Sequence, residues 1–266
     1  MSVITLLTDF GTADGYVAAM KGAIRTIAPD VSIDDASHDI PPGDVAAAAW
    51  ALGAYWDRYP RGTVHLVVVD PGVGTARRAI AAEARGRRFV CPDNGILTHV
   101  IATCTTDEIE AVEIEPQEGI SRTFHGRDVF APAAARLAAG VSLHELGRTL
   151  DADPVLLAHP APVRLGAVIR GAVIHVDRYG NLITNIPAAW LTTGARARIG
   201  GNEVSVVRTY SDVAHGTPLA LIGSRAVLEI SVRDGNAAHV LGMARGSAVE
   251  LVPGTTTAEA NESPLR

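Results

Sequence analysis

Two aspartates stand where short apolar runs end. Asp9 follows Val3 to Leu7 and precedes Phe10-Gly11; Asp70 follows Val64 to Val69 and opens Pro71-Gly72. In open α/β sheets, ligands gather beyond the carboxyl ends of strands, so both carboxylates are placed where a substrate could be met. An aspartate after a strand also caps turns, and one alone would carry little weight. Two such loops sharing a crevice carry more. Asp70-Pro71-Gly72-Val73-Gly74-Thr75 reads as a rigid turn followed by a loop. It contains neither GxGxxG nor GK[ST], so phosphate cradling is not expected. Arg77 comes seven residues after Asp70 and can return across the loop to pair with it, unless it is simply a solvated arginine. Phe124-His125-Gly126-Arg127-Asp128 precedes a helical pattern, with Asp128 the expected N-cap and His125 just before the start. Asp9, Asp70, Asp93 and His125 could ligate a metal on paper. HxH and HExxH spacings are absent, so no metal is expected.

These groups need a scaffold, and the first half supplies an alternation of strands and helices. Val3 to Leu7, Val31 to Ile33 and Val64 to Val69 read as strands, and Ala79 to Ala84 with Arg88 to Cys91 as a hairpin around Gly86. Asp14 is the expected cap of a helix carrying Val17, Met20, Ile24 and Ile27 on one face. Asp44 can cap an alanine-rich helix ending before Pro60, and Asp128 to Ala139 reads as a third. The pattern predicts an α/β fold, with an N-terminal sheet sandwiched between helices over 1–158. A stiff proline stretch, His159-Pro160-Ala161-Pro162, suggests a linker over 159–170. Strand and turn signals then predict a smaller all-β, barrel-like domain over 171–254, including a tight turn at Gly200-Gly201-Asn202. The polar stretch 255–266 reads as a flexible tail.

Composition excludes several functions. The formal net charge is −6, and the densest basic cluster, Arg85, Arg87 and Arg88, suits a hairpin tip better than nucleic acid. No apolar stretch approaches the roughly 20 residues needed to cross a bilayer. The N-terminus lacks the pattern of a signal peptide. Cys91 and Cys104 belong to no CxxC pair and read as thiols in a reducing compartment, so a cytoplasmic location is expected.

The chain resembles the S-adenosylmethionine hydroxide adenosyltransferases, relatives of enzymes that fluorinate or chlorinate the same substrate. Six ordered blocks carry the resemblance: LLTDFGTADGYVAAMKGAI, VVVDPGVGTARRAIA, PDNGIL, FHGRDVFAPAAARLAAG, HVDRYGNLITNI and GSRAVLEISVRDGNAA. The resemblance implies that Asp70, Arg77 and His125 form the catalytic set of the water-using members. It implies that Asp9 holds the ribose hydroxyls. Asn181 and the backbone at Ala237 would meet the adenine edge, with Tyr210 packing near it. Asp177, Ser224 and Arg225 would face the methionine end. Halide-using relatives place a tryptophan where this chain has Gly43. No cofactor is implied, since S-adenosylmethionine is the substrate. A homotrimer is implied, with sites between one subunit's first domain and its neighbour's second.

The implied chemistry suits these residues. A sulfonium leaves readily without a general acid, so the task is to present oxygen in line with the C5′–S bond. A water held by Asp70, itself fixed by Arg77, gains hydroxide character, and His125 either orients that water or relays its proton. Hydroxide and sulfonium annihilate charge on the way to the transition state, which a dry site favours. Two alternatives are a halogenase, which would make a 5′-halo product, and a non-catalytic S-adenosylmethionine or adenosine sensor, which would bind without turnover.

Overall fold

β-branched runs without polar alternation make strands that must be covered on both faces. Residues 64–68 form such a strand, every one of them buried, in the interior of a sheet in the computed structural model. The structure describes residues 2–115, 119–158 and 160–254. It divides into two compact units, 1–157 and 158–266.

The first unit holds seven strands: β1 (Val3–Thr8), β2 (Ser32–Ser37), β3 (Val64–Val68), β4 (Ala79–Ala84), β5 (Arg87–Pro92), β6 (Ile109–Ile114) and β7 (Gly147–Thr149). Their order is β2-β1-β3-β5-β4-β6-β7. The first three pairings along this order are parallel and the last three antiparallel. Helices α1 (Tyr16–Ile27) and α4 (Ala131–Ala138) contribute to the core on one face, and α2 (Val45–Tyr55) and α3 (Thr98–Ile101) to that on the other. The expected sandwich is therefore present. Its most useful detail is register: Thr8 of β1 lies opposite Val68 of β3. The loops bearing Asp9 and Asp70 thus leave the sheet side by side.

Several local expectations are corrected. The N-cap of α1 is Gly15 in a left-handed conformation, not Asp14, and no side chain caps that helix. Asp44 does cap α2, accepting from Ala47 N at 3.0 Å. The helix read from Asp128 begins earlier, as a π-helical turn over Gly126–Phe130 with His125 at its N-cap, and α4 continues it. Asp128 lies inside that turn and accepts from Ser121 N at 2.9 Å instead. The basic hairpin tip is satisfied locally: Arg85 meets Glu108, Arg87 donates to Tyr59 O and Arg88 pairs with Glu83.

The second unit contains β8 (Val163–Leu165), β9 (Val168–Val176), β10 (Leu182–Pro187), β11 (Arg196–Ile199), β12 (Asn202–Ser205), β13 (Pro218–Ile222), β14 (Val227–Val232) and β15 (Ala248–Val252), with a short helix α5 (Ala237–Leu241). The main path runs β12-β11-β15-β9-β10-β14-β13, and β8 adds to β9. A bridge from Val206 to Ala220 brings the two ends of that path together, making the sheet nearly a barrel. Gly200 and Gly201, both at positive φ, form the predicted tight turn between β11 and β12. The stretch expected as a linker, 159–170, holds β8 and the first residues of β9, because Val163 and Leu165 pair back along the sheet. His159 and the expected tail, 255–266, lie outside the described residues. Among the described residues no helix is long and apolar enough to cross a membrane.

One core histidine gives a stability prediction. His65 on β3 is fully buried among the rings of Tyr55, Tyr59 and Phe89, with Nδ1 2.9 Å from Thr5 Oγ1. Burial pushes its pKa down to about 4. The unfolded chain binds a proton there near pH 6.5, so this group's stabilisation is complete above that pH and is lost as pH falls through about 4. The shift corresponds to a loss on the order of 3 kcal/mol. Urea unfolding at neutral pH and near pH 4 measures it. His65→Gln, which does not titrate, should show a smaller acid loss by about that amount; an unchanged loss refutes the assignment.

Candidate active site

The parallel register of β1 and β3 brings two acidic loops together, and the π-helical turn supplies a third wall. Asp9, Asp70, Phe10, Tyr16, Phe124 and His125 line a cavity of about 300 Å³ in the first unit, together with Gly43, Pro71 and Gly126. That volume is at the lower end for small-molecule sites.

Arg77 organises this cavity. Its Nε donates to Asp70 Oδ1 at 2.9 Å, and its Nη2 donates to Asp70 Oδ2. The second Nη2 proton points at His125 Nδ1, 2.9 Å away. The guanidinium also lies over the Phe130 ring, 5.1 Å from its centroid. Arg77 and Asp70 side chains are 11% and 6% exposed, so this is a desolvated fork-to-fork pair rather than a solvated arginine. The turn after Asp70 makes the return path: Val73 N donates to Asp70 O, and Thr75 N and Oγ1 both donate to Gly72 O. Gly74 has φ +79°, and a Cβ there would stand 2.8 Å from Arg122 O, so the loop requires glycine.

The pair fixes the state of His125. Arginine only donates, so His125 Nδ1 accepts, and the neutral ring carries its proton on Nε2. Burial, then the nearby Arg77 charge, lower the His125 pKa below its ordinary value, against the opposing pull of Asp70 and Asp128. The imidazole is therefore an Nε2–H donor at neutral pH.

Asp9 keeps one oxygen engaged: Oδ2 accepts from Gly43 N at 2.8 Å. The on-paper metal ligands do not converge. Asp93 is held instead by Arg78, with Nη2 2.6 Å from Oδ2, and Val155 N donates to its other oxygen at 2.8 Å. Among the described residues no group of three or more His, Cys, Asp or Glu side chains could hold a metal ion.

Other expected contacts lie in the second unit. Asp177 accepts from Tyr179 N, Asn181 N and Asn181 Nδ2, each at 2.9 Å, so Asp177 and Asn181 bind one another in one turn. Gly180 in that turn approaches Asn236, and its carbonyl accepts from Ala238 N at 2.9 Å. This places the turn against the start of α5, where Ala237 is fully buried. Ser224 and Arg225 lie in the turn joining β13 and β14. Tyr210 donates its hydroxyl to Glu229 at 2.6 Å, and Ser231 donates to the same oxygen at 2.9 Å.

Sequence reasoning missed three features. The rings of Phe10, Tyr16 and Phe124 meet edge to face within 6.0 Å and wall the cavity beside Asp9. Asn94, in PDNGIL, donates to Val69 O at 2.9 Å, immediately before Asp70. Glu229 is a buried carboxylate, and its signal was an acid inside the apolar run Val227 to Val232.

The comparisons with known proteins agree with this architecture. A family model described as the SAM hydroxide adenosyltransferase N-terminal domain matches residues 4–147, and one for the C-terminal domain matches 171–250. The chain is 40% identical over 263 residues to the (R)-S-adenosyl-L-methionine hydrolase of Thermus thermophilus, covering 95% of this chain and 100% of that one. It is 32% identical over 270 residues to a fluorinase of Actinoplanes sp., covering 86% and 90%. A crystal structure of an uncharacterized conserved protein from Thermotoga maritima superposes with a TM-score of 0.85 at 36% identity, covering 94% of this chain and 99% of that one. With both family models matched in order and most of the chain covered, this protein belongs to the SAM hydroxide adenosyltransferase family.

Proposed function

We propose that this chain hydrolyses (R)-S-adenosyl-L-methionine to adenosine and L-methionine. The observation that carries the reading is the Asp70–Arg77–His125 set, tied together by Arg77 beside the cavity that Asp9 also lines. Water attacks the ribose 5′ carbon in line with sulfur; the C5′–O bond forms as the C5′–S bond breaks, and its electron pair returns to sulfur. Asp70 holds the water by one O–H and takes that proton, while His125 donates its Nε2–H to the water oxygen and fixes its direction. His125 Nδ1 is occupied by Arg77, so the ring orients the nucleophile rather than removing its proton. No cofactor or metal is proposed, because a sulfonium needs no Lewis acid to leave.

The ribose hydroxyls are assigned to Asp9, the adenine edge to Asn181 and Ala237 with Tyr210 beside it, and the methionine end to Asp177, Ser224 and Arg225. Chromatography of products after incubating the pure protein with S-adenosylmethionine, EDTA and chloride tests the function. Adenosine and methionine in equal amounts are expected. A 5′-chloro product would make it a halogenase, binding without products a sensor, and activity restored only by a divalent ion would overturn the metal-free mechanism.

The assembly proposed is a homotrimer in which one subunit's first unit and its neighbour's second complete each site. The division of assigned contacts between the two units supports it. Sedimentation at assay concentration should give three chains or a multiple of three, and a fully active monomer would contradict it. The cytoplasm is the proposed compartment, supported by two free thiols, Cys91 and Cys104.

A further inference from the structure

A line of polar side chains runs from partly exposed Lys21 and exposed Asp35 to buried His38 and Thr8, at the loop that carries Asp9. Thr8 Oγ1 lies 2.8 Å from His38 Nδ1, and both residues are buried. His38 Nε2 faces Asp35 Oδ1 at 3.1 Å, and Asp35 Oδ2 holds Lys21 Nζ at 2.6 Å. Thr8 Oγ1 also accepts from Phe10 N at 3.3 Å. The far side of the loop is held by His38, since Gly11 N donates to His38 O at 2.9 Å.

Two further observations show that this line is built. Pairing between β1 and β2 passes from Leu6–Asp35 to Leu7–Ser37, so Ala36 is an extra residue in β2. Such a bulge re-aims the side chains that follow it, here the segment leading to His38. Secondly, Lys21 is the only lysine among 23 basic residues. A compact ammonium makes a point contact with one carboxylate oxygen, where a guanidinium would fork across both.

We infer that His38 is a positioning residue for the ribose-binding carboxylate Asp9, acting through Thr8 and held by Asp35 and Lys21. It fixes the backbone on both sides of Asp9, through Thr8 before it and Phe10 and Gly11 after it. The carboxylate can then keep Oδ2 on Gly43 N while Oδ1 meets the ribose diol. This inference rests on the assignment of Asp9 to the ribose.

Calorimetry with adenosine and with 2′,3′-dideoxyadenosine tests it without requiring turnover. The wild type should prefer adenosine. Thr8→Val, which keeps shape and removes the hydroxyl, should weaken adenosine binding about tenfold, as expected for disturbing a hydrogen bond to a charged group. It should leave dideoxyadenosine binding unchanged. Thr8→Ser should restore the preference, and His38→Ala should match Thr8→Val without adding to it. Should the buried variants fail to fold, Lys21→Met at the outer end should weaken adenosine binding about twofold to threefold. Equal losses for both nucleosides, or a preference unchanged in all variants, would overturn the inference. So would a wild type with no preference, even if it hydrolyses S-adenosylmethionine. A protein that shows the preference but releases no adenosine from S-adenosylmethionine would remove the proposed function and leave this inference standing.

Discussion

Asp70→Ala should lower turnover of S-adenosylmethionine by about 10²–10⁴-fold while substrate affinity stays near wild type. In the proposed mechanism Asp70 receives the water's proton, and both its oxygens are held by Arg77. It is assigned no contact with the nucleoside, so its loss is felt in the transition state and little in the ground state. Arg77→Ala should move in the same direction, for two reasons. It frees Asp70 from its fork, and it removes the donor that sets the His125 proton on Nε2. The double variant should be no worse than the more damaging single one, because residues acting as a unit are not additive. Asn181→Ala should do the opposite and mainly raise KM, since adenine contacts persist through the reaction. Calorimetry with substrate alongside initial rates separates these classes. Near wild-type turnover in Asp70→Ala would reduce Asp70 to a turn residue.

Much of this arrangement was legible from residue spacing. Seven residues containing Pro71, Gly72 and Gly74 allow the chain to turn back, so the spacing offered the pairing of Arg77 with Asp70 but did not decide it against a solvated arginine. The adjacency of Asp9 and Asp70 could only be suspected. It depends on β1 lying between β2 and β3, and strand order is set by which faces pack together, not by any local pattern. The strand Ile109–Ile114 escaped notice because Glu110 and Glu113 interrupt its apolar run, and Gly147–Thr149 because three residues carry no period. The π-helical turn was invisible for another reason. A capping aspartate and a following apolar pattern fit a helix starting at Asp128, whereas the observed start is set by backbone bonds of Arg127 and Asp128 to Phe124 O. Asp177 and Asn181 are a subtler case. Both were read as ligand contacts, yet in the folded chain each is the other's hydrogen-bond partner. Their proposed contact with substrate uses lone pairs and protons left over from that turn.

The π-helical turn matters because it places His125, and two substitutions should separate what the two ring nitrogens do. His125→Gln keeps an N–H donor near the Nε2 position, while His125→Asn keeps a carbonyl near Nδ1 to receive Arg77 and loses the distal donor. If the ring serves by donating Nε2–H to the nucleophile, the Asn variant should lose about tenfold to a hundredfold in kcat, the scale of one hydrogen bond to a developing charge. The Gln variant should lose much less. The pH profile adds an independent check. The His125 pKa lies below its ordinary value because of burial and the Arg77 charge, so the neutral donor persists at pH 6.5 and above. As pH falls through the lowered value, the ring gains a second proton on Nδ1, facing the Arg77 guanidinium. That expels the contact which holds the set together, and kcat should decline on the acid side. His125→Gln has no such proton to gain, so its profile should be flatter between about pH 5 and 7. Initial rates across that range for the wild type and both variants decide the matter. An Asn variant faster than the Gln variant would place the working nitrogen at Nδ1, and an acid limb that survives in His125→Gln would assign it to another group.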